Sequence, residues 1–149
     1  MTEGKDAGPS PPTGQASQQS TETSGRRRIL VVEDEALIAM ETARILLSAK
    51  FEILGPASTV AQALELLERS DCDAAVLDVN LGKETAEPIA RYLSEKGTPF
   101  ITLSGYTREQ LPAIFRDSLL LSKPLRSDLL IKAVRQCLTP RNELGTLWY

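Results

Sequence analysis

ILVVEDE, residues 29–35, decides the fold: Ile29-Leu30-Val31-Val32 runs without a polar break and then meets Glu33, Asp34 and Glu35. Ile29, Val31 and Val32 are β-branched, and an apolar run with no polar alternation suits a strand buried on both faces, as in a parallel sheet. The same kind of run returns as Ala74-Ala75-Val76-Leu77 and as Phe100-Ile101-Thr102-Leu103, with weaker strand candidates over residues 51–57 and 119–122. Between these runs the period becomes helical. Ala36, Met40, Ala43 and Leu47 recur at spacings of four and three, which predicts the inward stripe of a first helix. Val60, Ala63, Leu64 and Leu67 follow the i, i+3, i+4, i+7 pattern behind a capping-box pair, Thr59 and Gln62. Leu130, Ala133, Val134 and Cys137 repeat that pattern near the end, with Ser127 the expected N-cap and Asp128 at the positive end of the helix. A helix through Ile89, Ala90 and Leu93 requires Pro88 to fall in its first turn. Leu111, Ile114 and Phe115 suggest one more helix, but Pro112 interrupts it. A full helix there would lose a hydrogen bond at a cost of about 3 kcal/mol, so one short or irregular turn is expected. Five strands alternating with five helices, joined by short right-handed crossovers, predict an α/β fold: a doubly wound five-stranded parallel sheet with helices on both faces.

The 149 residues allow one ordinary domain. Residues 1–25 contain four Gly, three Pro, four Ser, four Thr and three Gln, and their apolar side chains are Met1, Ala7 and Ala16 alone. Such a segment buries too little surface to offset its own ordering, so a disordered tail is expected there. The net charge is −3, two units of it from Glu3, Asp6 and Glu22 against Lys5, which leaves the remaining chain near neutral. No basic excess argues for nucleic acid or anionic lipid as a partner, and Arg26-Arg27-Arg28 reads as a solvated start to the first strand. The chain has no histidine, which excludes a Ser-His-Asp or Cys-His nucleophile system, an H-E-x-x-H zinc site and a phosphohistidine of its own. Cys72 and Cys137 stand far apart without a C-x-x-C pairing and are expected to be buried thiols of a reduced compartment. With no signal-like segment and no apolar run near ~18 residues, a soluble cytoplasmic protein is expected.

Ligand sites of open α/β sheets lie beyond the carboxyl ends of the strands, near the topological switch point. Those ends carry Glu33-Asp34-Glu35, Asp78-Val79-Asn80, Ser104-Gly105-Tyr106 and Lys123-Pro124. Taken singly each has an ordinary reading: acidic residues favouring a helix N-terminus, a turn serine, a surface lysine, an exposed loop tyrosine. Together they place Glu33, Asp34 and Asp78 in one pocket. Two unit charges at ~4 Å repel by about 4 kcal/mol at an effective dielectric near 20, so three carboxylates require compensation. A hard divalent cation with oxygen ligands, most naturally Mg2+, supplies it. A carboxylate nucleophile, a metal, an ammonium from Lys123 and a hydroxyl from Ser104 suit phosphoryl transfer, where positioning and charge stabilisation do most of the catalysis.

In ILVVEDE (29–35), AAVLDVNLG (74–82), PFITLSGY (99–106) and LLLSKPL (119–125), the chain resembles the receiver domains of two-component response regulators from Arg28 to about Leu138. The resemblance implies a flavodoxin-like, receiver-type fold. It implies Asp78 as acceptor of a phosphoryl group from the phosphohistidine of a histidine kinase or phosphotransfer protein. It makes Glu33 and Asp34 the acidic pair that holds Mg2+, with Asp34 the closer ligand, and adds the Asn80 carbonyl to Asp78 as further ligands. Ser104 would be the hydroxyl that moves onto the phosphoryl group, Lys123 the cation that pairs with its oxygens, and Lys123–Pro124 a cis peptide. One departure stands out: Leu120 occupies the fifth-strand position where the family carries Tyr or Phe, so an aromatic swinging inward there is unavailable. Ser-Gly-Tyr, the broken fourth helix and Leu120 together look like a subgroup of stand-alone receivers that often partner HWE or related histidine kinases. Tyr106 is expected to replace part of the missing coupling. The layout implied is a tail over 1–25, a receiver-type domain over 26–140 and an extension over 141–149 too short for an output domain. Trp148 and Tyr149 are either frayed or packed back onto that domain. The function implied is a signalling protein acting through protein–protein contacts with a downstream target, without direct DNA or membrane binding, and not an enzyme in the ordinary sense. Two other readings compete. LDVNL resembles the D-x-D motif of Mg2+-dependent aspartyl-phosphate phosphatases of the haloacid-dehalogenase type, but Asn80 stands where their second aspartate belongs. A pseudo-receiver acting only as a binding module is opposed by the full set Glu33, Asp34, Asp78, Ser104 and Lys123.

Overall fold

A computed structural model describes residues 25–139. The rest of the expected tail, and the extension with Trp148 and Tyr149, lie outside the described residues. The elements in chain order are β1 (Arg28–Val32), α1 (Ala36–Ser48), β2 (Glu52–Ala57), α2 (Val60–Arg69), β3 (Ala74–Asp78), a hairpin of β4 (Asn80–Leu81) and β5 (Glu84–Thr85), and α3 (Glu87–Glu95). They continue as β6 (Phe100–Ser104), a 3-10 turn (Arg108–Gln110), α4 (Ala113–Arg116), β7 (Leu119–Ser122) and α5 (Ser127–Leu138). The main sheet has the order β2-β1-β3-β6-β7 with every pair parallel, the flavodoxin-like arrangement. The chain leaves β1 toward β2 on one side and later adds β3 on the other, so the crevice where the order reverses lies at the carboxyl ends of β1 and β3.

Alternation along the strands divides the core in two. Leu30, Val32, Ala75, Leu77 and Phe100 face the layer built by α2, α3 and α4, where Ala63, Leu67, Ile89, Leu93 and Phe115 close over them. Ile29, Val31, Ala74, Val76, Ile101 and Leu103 face α1 and α5 through Ile45, Leu46, Leu130, Ala133 and Val134. Phe100 and Phe115 meet edge to face, centroids 6.2 Å apart, which ties α4 to the sheet. Each fully buried large side chain stabilises by roughly 1.5–3 kcal/mol, and both faces of β1 and β3 collect it.

Helix α1 presents a different face from the expected one. Ala39, Thr42, Ile45 and Leu46 are buried, whereas Met40 is 65% and Leu47 52% exposed, and Leu37 is 80% exposed. Apolar residues recur on more than one face of this helix, so spacing alone selected the wrong stripe. Thr42 is tolerated inside because its hydroxyl donates to the carbonyl of Ile38 at 2.8 Å. Arg126, rather than Ser127, is the N-cap of α5, and no side chain caps that helix. Half of the expected capping box at α2 is present: Thr59 Oγ accepts from the Gln62 N–H at 3.1 Å, while the Gln62 amide oxygen accepts from Ser58. Pro88 lies in the first turn of α3, and Pro112 splits the expected fourth helix into the 3-10 turn and the single turn of α4. The Lys123–Pro124 peptide is cis as expected, and Gly55–Pro56 is a second cis bond. The β4–β5 hairpin was not foreseen. It turns at Gly82, whose φ of +68° is open to glycine, and its Glu84 carboxylate accepts the Val60 N–H at 3.0 Å, closing the orphan N-terminus of α2.

Candidate functional site

All five strands of the main sheet point their carboxyl ends at one edge, and four of those ends supply the site. Glu33 follows β1, held there by its N–H on the carbonyl of Ala57 at 2.9 Å. Asp78 closes β3, Ser104 closes β6, and Lys123 follows β7, its N–H on the Ser104 carbonyl at 3.1 Å. The crevice thus gathers residues that lie up to 90 positions apart in sequence. Glu33, Asp34 and Asp78 each offer a carboxylate oxygen within 4.8 Å of the others. Lys123 Nζ lies 3.3 Å from Asp78 Oδ1 and 3.4 Å from Glu33 Oε1. Glu33, Asp78 and Ser104 are buried, and Asp34 stands exposed at the rim.

One ammonium facing three carboxylates leaves the pocket short of positive charge. Burial, with the Asp78 charge adding to it, pushes the Glu33 carboxyl up to about 7 against the pull of the Glu35 N–H and Lys123. Burial also raises Asp78, opposed chiefly by Lys123. Lys123 itself is partly desolvated, which lowers its pKa, but Asp78 and then Glu33 outweigh this and raise it. Both carboxyls therefore hold a proton more tightly than free carboxyls do, even beside Lys123. Glu33 Oε1 is buried without a hydrogen bond, so a lone pair is left for a cation. Oxygen donors alone, three of them carboxylates, with exposed Asp34 keeping the pocket open to water, fit a hydrated hard cation such as Mg2+.

The remaining expected residues fall around this centre. Ser104 Oγ accepts the Tyr106 N–H at 2.9 Å. Tyr106 is 53% exposed. Asn80 follows Asp78 by two residues and opens the hairpin, pairing with Thr85. A side chain at Gly82 would come within 4.0 Å of Asp34 Oδ2, so the hairpin tip borders the acidic cluster. Leu120 packs half-buried into the α2–α3–α4 layer. Sequence reasoning missed this hairpin, and it missed the buried pairing of Thr102 with Ser118 behind Ser104, 2.6 Å between hydroxyls. Gly82, between Leu81 and Lys83, was the only sign of the first, and the second depends on the β6–β7 register.

The flavodoxin-like sheet thus carries an acidic, lysine-bearing crevice at its switch point, the place where open α/β sheets bind ligands. The chain belongs to the response regulator receiver domain family, whose model matches residues 29–135. It is 32% identical over 128 residues to the transcriptional regulatory protein PdtaR of Mycobacterium tuberculosis, a match covering 81% of this chain and 61% of that protein. SdrG from Sphingomonas melonis Fr1 superposes with a TM-score of 0.66 at 38% identity, over 76% of this chain and 97% of SdrG. A structure of the BeF3-activated conformation of SdrG superposes with a TM-score of 0.64 at 39% identity, over 74% of this chain and 95% of that one. The chemotaxis protein CheY4 of Vibrio cholerae, at 22% identity, 76% and 99% coverage and a TM-score of 0.68, shares the fold. No helix among the described residues is long and apolar enough to cross a membrane.

Proposed function

We propose that this protein is a response regulator that takes a phosphoryl group onto Asp78 from the phosphohistidine of a histidine kinase or phosphotransfer protein. The observation that carries the reading is the Asp78 carboxylate 3.3 Å from Lys123 Nζ, inside the Glu33–Asp34–Asp78 cluster. Glu33 and Asp34, with Asp78 and the Asn80 carbonyl, are the residues that would hold Mg2+, which when bound supplies positive charge against the transferring phosphoryl oxygens. An Asp78 carboxylate oxygen attacks phosphorus in line, the new O–P bond forms as the P–N bond to the donor imidazole breaks, and the freed imidazole nitrogen regains its lone pair. Lys123 neutralises charge on the phosphoryl oxygens as they leave the donor. Ser104 then donates its hydroxyl proton in a hydrogen bond to a phosphoryl oxygen. Because that bond exists in one state of the protein and not the other, phosphorylation shifts a two-state equilibrium. Tyr106, joined through its N–H to Ser104, relays the change to the surface in place of the aromatic absent at Leu120. The similarity to SdrG, of which a BeF3-activated conformation is known, supports this reading.

A groove of about 260 Å3 lined by Leu37, Ile38, Glu41, Pro124 and Leu125 adjoins the site at Lys123 and, with exposed Met40 on the same helix, offers a donor protein a seat. HWE-type or related kinases are the donors proposed. Neither nucleic acid nor membrane is needed for this activity, and a reduced, cytoplasmic setting suits the two thiols. Incubation with Mg2+ and a small acyl-phosphate donor, followed by intact-mass measurement, tests the proposal. A single phosphoryl adduct on wild type that is missing from Asp78→Asn is expected. No adduct from this donor or from any kinase overturns the reading in favour of a binding module, and fast turnover of phosphate monoesters overturns it in favour of a phosphatase.

A further inference from the structure

Ser104 and Thr102 are two residues apart on β6, so their side chains leave the sheet by the same face, about 7 Å apart. Each ties one end of the segment between β6 and β7. At the near end, the Tyr106 N–H donates to Ser104 Oγ at 2.9 Å. At the far end, the hydroxyls of Thr102 and Ser118 lie 2.6 Å apart. Ser118 Oγ is also 2.7 Å from the carbonyl oxygen of Phe115, an atom that can only accept. A hydroxyl has one proton, so Ser118 gives its own to Phe115 and receives that of Thr102. The direction runs outward, from the fully buried strand to the helix.

Residues 105–118 are also fastened to one another. The Arg108 guanidinium donates to the carbonyls of Arg116 and of Ser118, the latter at 2.9 Å. Arg116 Nε donates to the Leu111 carbonyl at 3.0 Å, and the Gln110 amide oxygen accepts from the Thr107 N–H at 2.8 Å. Phe115 plugs the segment into the core. The segment is therefore braced internally, tied to β6 at its near end by the Ser104 hydroxyl and at its far end by the Thr102 hydroxyl and by Phe115 against Phe100. Only the Ser104 hydroxyl borders the phosphoryl site.

We propose that Thr102 and Ser118 are positioning residues that form the pivot of the switch. This rests on the receiver reading above. When Ser104 Oγ rotates toward a phosphoryl oxygen on Asp78, it leaves the Tyr106 N–H, so the near tie is lost and the far tie is kept. The near end of the segment moves about a far end fixed by Ser118 and by buried Phe115, and β7 stays in register with β6. That separation matters because β7 leads from Leu119 to Lys123, which must remain beside Asp78 while the segment moves. An unpinned far end would pass the motion into β7 and pull the lysine with it.

Amide hydrogen exchange on the full chain with Mg2+, before and after loading with a small acyl phosphate, tests the pivot, with loading followed by intact mass. In wild type, phosphorylation is expected to change exchange over residues 105–117 and to leave residues 119–122 as they were. In Thr102→Val, which keeps the shape and removes the donor, exchange over 119–122 is expected to rise at least tenfold on phosphorylation. Ser118→Ala is expected to do the same, and Thr102→Ser to restore the wild-type pattern. A wild-type pattern in both hydroxyl-deletion variants, or Thr102→Ser behaving like Thr102→Val, overturns the pivot. So does spread of the change into 119–122 in wild type. Failure of wild type to gain mass overturns the receiver reading instead, and the mass measurement alone distinguishes the two.

Discussion

Glu33 lies almost wholly out of water beside Asp78, and its carboxyl is pushed up to about 7, against an ordinary value near 4.5. A group that holds its proton more tightly folded than unfolded stabilises the fold below its unfolded pKa and loses that contribution as pH rises through the folded one. The metal-free protein is therefore expected to lose thermal stability between about pH 4.5 and 7. Mg2+ competes with that proton, so the rise in Tm on adding Mg2+ should be larger at pH 8 than at pH 5; an equal rise at both would remove Glu33 from the metal site. Replacing Lys123 with Met strands Asp78 and Glu33 without their cation, at a cost of about 1–3 kcal/mol in urea unfolding without metal at pH 8. Added Mg2+ is expected to narrow that gap. These residues were legible in the sequence because each sits one or two places past an apolar run, and a parallel sheet sends all such places to one edge. Ser118 was not legible: its partner Thr102 is sixteen residues away and the two meet only through the pairing of β6 with β7.

Among the elements, α1 separates packing from recognition. Ile45 is in the core and Met40 faces water. Ile45→Ala should cost about 2–5 kcal/mol, whereas Met40→Ser should stay within about 0.5 kcal/mol of wild type in the same unfolding experiment. Met40→Ser is nonetheless expected to slow phosphorylation by a protein donor severalfold while leaving the rate with a small acyl phosphate unchanged. The strands were readable as uninterrupted apolar runs, and α4 as a turn broken by Pro112. The buried face of α1 was not, since a helix with leucine and methionine on its outer side carries two candidate stripes, and only the sheet beneath chooses between them. The hairpin escaped because two-residue strands have no period to read. Its Glu84 reaches the first N–H of α2, so Glu84→Ala is expected to destabilise by about 1 kcal/mol and to speed amide exchange at Val60.

At the scale of the whole molecule, two apolar layers share one sheet, and β1 and β3 contribute to both. Neither layer can come apart alone while those strands hold. Leu77→Ala, in one layer, and Ile29→Ala, in the other, should each lower a single unfolding transition by about 2–5 kcal/mol, with fluorescence and circular dichroism midpoints coinciding. Separate transitions would mean that the layers are independent.

The polarity of that sheet also sorts the two cysteines. Cys72 precedes β3 and Cys137 lines the cavity by the start of β6, both at the foot of the strands. Burial, then neighbouring Asp73, pushes the Cys72 thiol up to about 11, leaving it a poor nucleophile at neutral pH. A maleimide dye meets these thiols a full strand length from the acidic crevice, so a label placed there leaves the Asp78 end of the sheet untouched.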